Sequence, residues 1–229
     1  MTTSGQTDFD PRPTLRAVVL DLDGLLIDSE TWSWQAHNRA LASFGHPALL
    51  LEEVRRLVGL DAEDEWATVQ DMRPMDITAP AYSAVYHEAF IALREANLGP
   101  MPGLGDLLEV VHARGWRLGL ASNSGRSSII AALTGLGIRE RFAAITSAED
   151  VPSGKPDPAV YQLAMERLGA VPERSLAMED SATGLRAARA AGLYCVAVPN
   201  VLTLSQTLSP AHRVFPSLRE AAVWLDGRK

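Results

Sequence analysis

The sequence predicts an α/β protein: a doubly wound parallel sheet interrupted, just after its first strand, by a helical insertion. Three observations carry this. Short, often β-branched apolar runs recur and alternate with helix-length segments, the order that builds a parallel sheet with helices on its faces. The stretch 30–100 breaks the alternation, lacks convincing strands and holds three of the five Trp. Acids, hydroxyls and one lysine fall where the apolar runs stop, which in open α/β sheets is the ligand-binding edge.

The first element lies in 15–20, where Ala17-Val18-Val19-Leu20 ends abruptly at Asp21 and reads as a buried parallel strand. The insertion follows, with helices expected at about 30–44, 51–58 and 81–96. The stiff run Gly99-Pro100-Met101-Pro102-Gly103 returns the chain to the sheet. Further strands are expected at 118–121, 143–146, 175–178 and 194–198, separated by helices at 104–114, 126–136, 158–168 and 182–191. Gly115, Gly137, Gly169 and Gly192 stand where those helices need C-caps. The expected division is a flexible N-terminal tail over 1–13, an α/β core from 14–29 plus 101–229, and the insertion over 30–100.

With 47% apolar and 21% charged residues in 229, the chain has ordinary globular composition and enough material for a real core. The net charge of −7, from 28 acidic against 21 basic side chains, is poor for a general nucleic-acid binder. No run approaches the ~18 apolar residues of a membrane helix, and the polar start from Met1 to Pro13 is no signal peptide. A soluble cytoplasmic protein is the expectation. Cys195, the single cysteine, excludes a disulfide framework and reads as a core thiol inside Tyr194-Cys195-Val196-Ala197-Val198. The basic set is nineteen Arg and two Lys, of which Lys229 ends the chain. The one interior lysine, Lys155, therefore asks for an explanation.

Four polar groups line the expected edge: Asp21-Leu22-Asp23-Gly24, Ser122-Asn123, Ser153-Gly154-Lys155-Pro156-Asp157 and Glu179-Asp180-Ser181. Asp21 and Asp23, two apart in extended chain, point to one side. A carboxylate can serve as a covalent nucleophile, and a second carboxyl can protonate a leaving oxygen and then activate water. Gly24 allows close approach of the backbone to an anionic group. Asp21 and Asp180 meet the demand of Mg²⁺ for carboxylates beside waters and phosphate oxygens, with Glu179 placed to hold a bound water. Ser122 and Asn123 suit a non-bridging phosphate oxygen, and Lys155 supplies a compact charge for transferring phosphoryl oxygens. Plainer readings compete: a turn at Asp23-Gly24, a helix cap at Ser181, a solvated loop lysine. Gly154-Lys155 lacks the spacing of a P-loop. The five His show no metal-ligand spacing and read as surface or half-buried.

The order and spacing of these groups resemble the haloacid dehalogenase superfamily. The matching residues run from Asp21 through Leu22-Asp23-Gly24-Leu25-Leu26-Ile27-Asp28-Ser29 to Glu30. Then come Ser122-Asn123, Gly154-Lys155-Pro156-Asp157-Pro158, and Glu179-Asp180-Ser181 with Gly184. Within it the chain looks like the small-helical-cap branch, the β-phosphoglucomutase and phosphoglycolate-phosphatase-like group, over nearly all of 15–226. The resemblance implies a Rossmann-like core with a cap over a Mg²⁺-dependent phosphoryl-transfer site acting on a small phosphorylated metabolite, in a chain expected to be a monomer. Asp21 would attack phosphorus and Asp23 would serve as acid, then base. Ser122 and Lys155 would bind the phosphoryl group, Lys155 also holding Asp21. Asp21, the backbone carbonyl of Asp23, and Asp180 would ligate Mg²⁺, with Glu179 just behind.

Departures narrow the expectation to a phosphatase. True dehalogenases lack the second acid, which is Asp23 here. Phosphonatases use a cap lysine, and 30–100 contains none. Sugar-phosphate mutases carry a His where Ser33 stands, and a basic residue after the cap glycine where this chain has Gly59-Leu60-Asp61. His37, one helical turn from Ser33, leaves a mutase as the alternative. A receiver-like phospho-acceptor module is the non-enzyme alternative, disfavoured by the position of Asp23 and by the insertion. The expected cap loop Gly59–Glu65 carries Asp61, Glu63, Asp64 and Glu65, which predict discrimination against strongly anionic leaving groups; Arg55 and Arg56 would oppose it.

Overall fold

The expected sheet forms, and the sequence's polar stops end up along one edge of it. The computed structural model describes residues 11, 12, 14–60 and 62–227. Six parallel strands, β1 (Ala17–Leu20), β2 (Arg117–Ala121), β3 (Ala144–Thr146), β4 (Ser175–Glu179), β5 (Tyr194–Ala197) and β6 (Arg213–Val214), are ordered β3-β2-β1-β4-β5-β6. β1 is central because all four of its residues are buried: Val18 pairs with Leu118 on one side and Leu176 on the other. The chain leaves β1 toward both halves of the sheet, so its carboxyl end is the switch point where α/β proteins bind ligands.

Nine α-helices occur among the described residues. Four, α1 (Ser29–Ser43), α2 (Leu51–Val54), α3 (Ala62–Met72) and α4 (Ala79–Asn97), form the insertion. Five, α5 (Leu104–Ala113), α6 (Arg126–Gly135), α7 (Ala159–Leu168), α8 (Ala182–Ala190) and α9 (Leu218–Asp226), flank the sheet. Strand side chains alternate between two layers, as a period of two requires. Val18, Leu20, Leu120, Met178 and Val196 pack toward α5, α6 and α9. The small residues Ala17, Ala121, Ala177, Cys195 and Ala197 face α7 and α8, whose Tyr161, Met165 and Leu185 fill the space they leave. Cys195 is the expected core thiol, and burial pushes it up to about 12.

The insertion carries its own apolar cluster, Leu41, Leu49, Val54, Leu57, Val69 and Tyr82, into which the core loop pushes Leu202. Its two connections lie side by side. Ile27 bridges Pro100 in antiparallel fashion, and Met101 N–H donates to the Leu26 carbonyl at 2.8 Å. Asp28 caps α1 through Thr31 N–H (3.3 Å), and Thr78, followed by Pro80, caps α4.

Several expectations are corrected. The second insertion helix is the single turn α2, not 51–58, because its segment exposes Leu50 and turns at residues 55–59. The acidic segment after Gly59 is helix α3, with Trp66, Val69 and Met72 at helical spacing toward the insertion core. β6 and α9 extend the sheet domain beyond the last expected strand. β6 has two exposed residues and no apolar signature, whereas α9 buries Leu218, Ala221, Ala222 and Leu225. Of the tail expected over 1–13, residues 1–10 and 13 lie outside the described residues, as do Asp61 and Lys229. Arg12 is anchored, its guanidinium donating to the Trp224 carbonyl at 2.8 Å and lying over that indole. Among the described residues no helix is long and apolar enough to cross a membrane.

Candidate active site

Polar groups converge on the switch point. Asp21 directly follows β1, β4 ends at Glu179 with Asp180 next, and Lys155 reaches in from the loop before α7. Asp21, Glu179 and Asp180 are all buried and offer one oxygen each within 4.8 Å of one another. The Lys155 ammonium donates to Asp21 Oδ1 and, at 2.6 Å, to Glu179 Oε1. This is the physical explanation of the lone interior lysine: a buried point charge held between two carboxylates. Burial alone would lower its pKa, but Asp21 and Glu179 outweigh burial and raise it.

Three acids against one ammonium leave the cluster short of positive charge. Burial pushes Asp21 well above the usual carboxylate range; Lys155 opposes this, while Glu179 and Asp23 add to it. Asp180 is raised in the same way, by burial first and then by Asp21, Glu179 and Glu30, with Lys155 opposing. Hard carboxylate oxygens that repel one another in a dry pocket fit a small divalent cation such as Mg²⁺.

Glycine makes this packing possible. Gly24 has φ +75°, and a Cβ there would overlap Asp180 Oδ2 and lie 2.6 Å from Asn200 Nδ2. What Gly24 approaches closely is thus the Asp180 carboxylate of the protein itself. Gly184 plays the same part beneath Glu179, whose carboxylate occupies the space a Cβ would need.

The other sequence-predicted residues sort themselves by their bonds. The Asp23 carboxylate is turned from the acid cluster and accepts from Ser122 Oγ (3.2 Å) and Ser124 Oγ (2.7 Å). Ser122 is fully buried, and its oxygen also accepts from Ser124 N–H at 2.9 Å. The Asn123 amide is spent on the lysine loop: its Oδ1 accepts from Lys155 N–H (2.7 Å) and its Nδ2 donates to the Lys155 carbonyl (3.1 Å). Its side chain thereby holds the Lys155 backbone in place.

Sequence reasoning missed four participants. Tyr161 on α7 donates its hydroxyl to Glu179 Oε1. Asn200 donates to Asp180 Oδ2 at 2.8 Å and to the Gly24 carbonyl at 3.2 Å. Ser124 fixes Asp23, and Glu30 lines the cleft, its carboxyl pushed up to about 7 by burial and by Asp23, Glu65 and Asp28. A hydroxyl on the buried face of α7 was the available signal for Tyr161.

His37 is neither surface nor half-buried. It is enclosed in the insertion, with Nδ1 2.9 Å from the Tyr82 hydroxyl and Nε2 3.0 Å from Glu65 Oε1. Both ring nitrogens are engaged there. Ser33, one turn earlier, pairs with the Tyr86 hydroxyl at 3.0 Å.

Between insertion and core lie two adjoining compartments. One, about 210 Å³, contains Asp21, Asp180, Lys155 and Asn123. The other, about 270 Å³, contains Glu30, Ser33, Glu65, Tyr86 and Ser124, and Asp23 faces both. The site thus has a reacting end and a second space beside it.

The model of the haloacid dehalogenase-like hydrolase family matches residues 18–198, which takes in every residue of this site except Asn200. Protein CbbY of Cereibacter sphaeroides is 31% identical over 215 residues, covering 90% of this chain and 94% of that protein. Hexitol phosphatase B of Escherichia coli K12 is 32% identical over 195 residues, covering 82% and 85%. A crystal structure of a CbbY variant from Rhodobacter sphaeroides with xylulose-1,5-bisphosphate superposes with a TM-score of 0.76 at 29% identity, covering 90% of this chain and 96% of that one. Motif order, parallel sheet and acid cluster agree with these matches, and the chain belongs to the haloacid dehalogenase-like hydrolase family.

Proposed function

We propose that the protein is a divalent-metal-dependent phosphatase that hydrolyses a small phosphate monoester of the sugar-phosphate class through an aspartyl-phosphate on Asp21. The single observation that carries this is the buried cluster of Asp21, Glu179 and Asp180 with the Lys155 ammonium bonded to two of its members. The names of the relatives, a hexitol phosphatase and a phosphorylated carbohydrates phosphatase of Thermotoga maritima, support the substrate class. Family membership sets aside the receiver-like reading.

In this reading Asp21, Asp180 and the Asp23 carbonyl hold Mg²⁺, with Glu179 close behind. The ion, when bound, neutralises the carboxylates and the phosphoryl oxygens. One oxygen of Asp21 attacks phosphorus as the bond to the leaving alcohol oxygen breaks, and Asp23 gives that oxygen its proton. Asp23, now a base, takes a proton from water as the water oxygen attacks the aspartyl-phosphate, freeing phosphate and restoring Asp21. Ser122 and Ser124 orient Asp23 for both steps. Lys155, the Ser122–Asn123 segment and the backbone at Gly24 cradle the phosphoryl group. The helical insertion over 30–100 acts as a cap that keeps bulk water from the intermediate. His37 is bound up in the cap, so water is the expected acceptor and not a second sugar hydroxyl.

The test is phosphate release from p-nitrophenyl phosphate and a set of sugar monophosphates, with Mg²⁺ and after chelation. Wild type should release phosphate only with the metal, and Asp21→Asn should lose at least about three orders of magnitude in rate. An Asp21→Asn protein as active as wild type overturns the proposal.

A further inference from the structure

We infer that the leaving group accepted here is an alcohol rich in hydrogen-bond donors with no second anionic group, and that Glu30 and Glu65 impose this choice. The inference rests on the phosphatase reading and narrows its substrate.

The compartment of about 270 Å³ beside Asp23 is where the alcohol part of a phosphate ester must lie when its phosphorus faces Asp21. One side of it is apolar, with Val54, Leu57, Val58 and Phe90, and suits the C–H faces of a small carbon chain. The polar side presents Glu30 and Glu65, while the Ser33 and Tyr86 hydroxyls are 3.0 Å apart and bonded to each other. Ionised carboxylates only accept hydrogen bonds. Above about pH 7, where Glu30 is ionised, a ligand group that meets them must donate, as hydroxyls and ammonium groups do.

Positive charge is confined to the other end. Among the described residues, Lys155 is the only cationic side chain lining either compartment, and its ammonium is committed to Asp21 and Glu179. The basic residues just before the cap glycine turn away. Arg55 donates to Glu52 Oε1 (2.6 Å) and to the Val201 carbonyl (2.8 Å), and Arg56 donates to Asp71 (3.1 Å). Arg186, near the rim, is exposed and bonded to Thr183 Oγ1 at 3.1 Å. Of the acids expected to set this preference, Glu65 lines the compartment and Asp61 lies outside the described residues; Glu30 was not among them. Above about pH 7, where Glu30 is ionised, a carboxylate or second phosphate placed here meets Glu30 and Glu65 with no lysine or arginine to receive it, which at short range in a half-buried site disfavours it by about tenfold or more. The relative CbbY, by contrast, holds xylulose-1,5-bisphosphate.

Two esters of equal length isolate the charge: sorbitol 6-phosphate and 6-phosphogluconate differ only by a hydroxymethyl or a carboxylate at the end remote from phosphorus. At pH 8, above the raised pKa of Glu30, wild type should show kcat/KM at least about tenfold higher for the sorbitol ester. Glu30→Gln and Glu65→Gln, which remove charge but keep shape, should each narrow that ratio by about threefold or more, whatever they do to the absolute rates. Equal turnover of the two esters, or preference for the carboxylate, overturns the inference while leaving the phosphatase reading intact. A preference that both Gln variants preserve in full also overturns it. No phosphate release from either ester or from p-nitrophenyl phosphate removes the phosphatase reading, and the inference with it.

Discussion

Replacing Tyr161 with Phe removes one hydroxyl from the centre of the molecule and nothing else. The ring stays in a site that is inaccessible to solvent, so no large cavity accompanies the change. Glu179, also inaccessible, has two strong donors on Oε1, the Tyr161 hydroxyl and the Lys155 ammonium at 2.6 Å; Oε2 has only Ser181 Oγ at 3.4 Å. Losing a hydrogen bond to a buried charged acceptor costs about 1.5–3 kcal/mol. For a chain of this size each kcal/mol moves the melting temperature by about 2–4 °C, so Tyr161→Phe should melt ~3–12 °C below wild type. Thermal unfolding of the metal-free proteins measures it. The same substitution made on Glu179→Gln should cost less by about 1 kcal/mol or more, because the charge that the hydroxyl serves has gone. A melting temperature within ~1 °C of wild type would refute the view that Glu179 depends on Tyr161.

Other outcomes follow from the same geometry. Gly24→Ala forces an L side chain into φ +75° and against Asp180 and Asn200, so it should lose at least about 1–2 kcal/mol and weaken Mg²⁺ binding by calorimetry; unchanged affinity contradicts the close approach. Asp21 and Asp180 have raised pKa values without metal, so stability should fall as pH rises above their unfolded value near 3.8, and added Mg²⁺ should restore it; melting temperatures against pH with and without the ion test the sign. Binding should release protons over that range, seen as a buffer-dependent heat, and affinity should strengthen with pH. Asp150 has its pKa lowered: burial raises it, but bonds from Arg167, Arg126 and Ser147 outweigh that, so its contribution is present above pH 3.8 and lost on acidification through its folded pKa. Asp150→Asn should therefore melt below wild type at neutral pH, with the gap closing in acid.

The residues that end strands were legible because a strand end is an address: Asp21, Ser122 and Glu179 each follow an apolar run directly, and Asp180 is next after Glu179. Lys155 was legible through composition, since a chain that otherwise uses Arg must have a reason for its one interior lysine. Tyr161 was hidden because its spacing with Val160, Ala164, Met165 and Leu168 is that of any buried helix face. Asn200 was hidden because it sits in a loop whose path depends on contacts with Gly24 and Asp180, distant in the chain. The start of Ala62–Met72 reads as part of a loop because Glu63, Asp64 and Glu65 interrupt the apolar pattern, yet the same three acids suit the N-terminal turn of a helix. His37 illustrates the limit of spacing arguments. One helical turn from Ser33, it lies on the same face but about 6 Å further along α1, where Tyr82 and Glu65 engage both nitrogens of the imidazole.

The pairing of Ile27 with Pro100 brings the two ends of the insertion together as a narrow stem. Those ends are joined to each other before either joins the sheet, so residues 28–99 can lengthen, shorten or be exchanged at almost no loop-closure cost to the core. On the proposed reading, the groups that react and the walls that select lie in separate stretches of the chain. Asp21, Lys155, Glu179 and Asp180 lie outside the stem, while Glu65 and the other cap walls lie within it and Glu30 stands at its foot. If the proposed division of labour holds, transplanting the insertion between relatives at these two positions should change the substrate and leave the reaction unchanged.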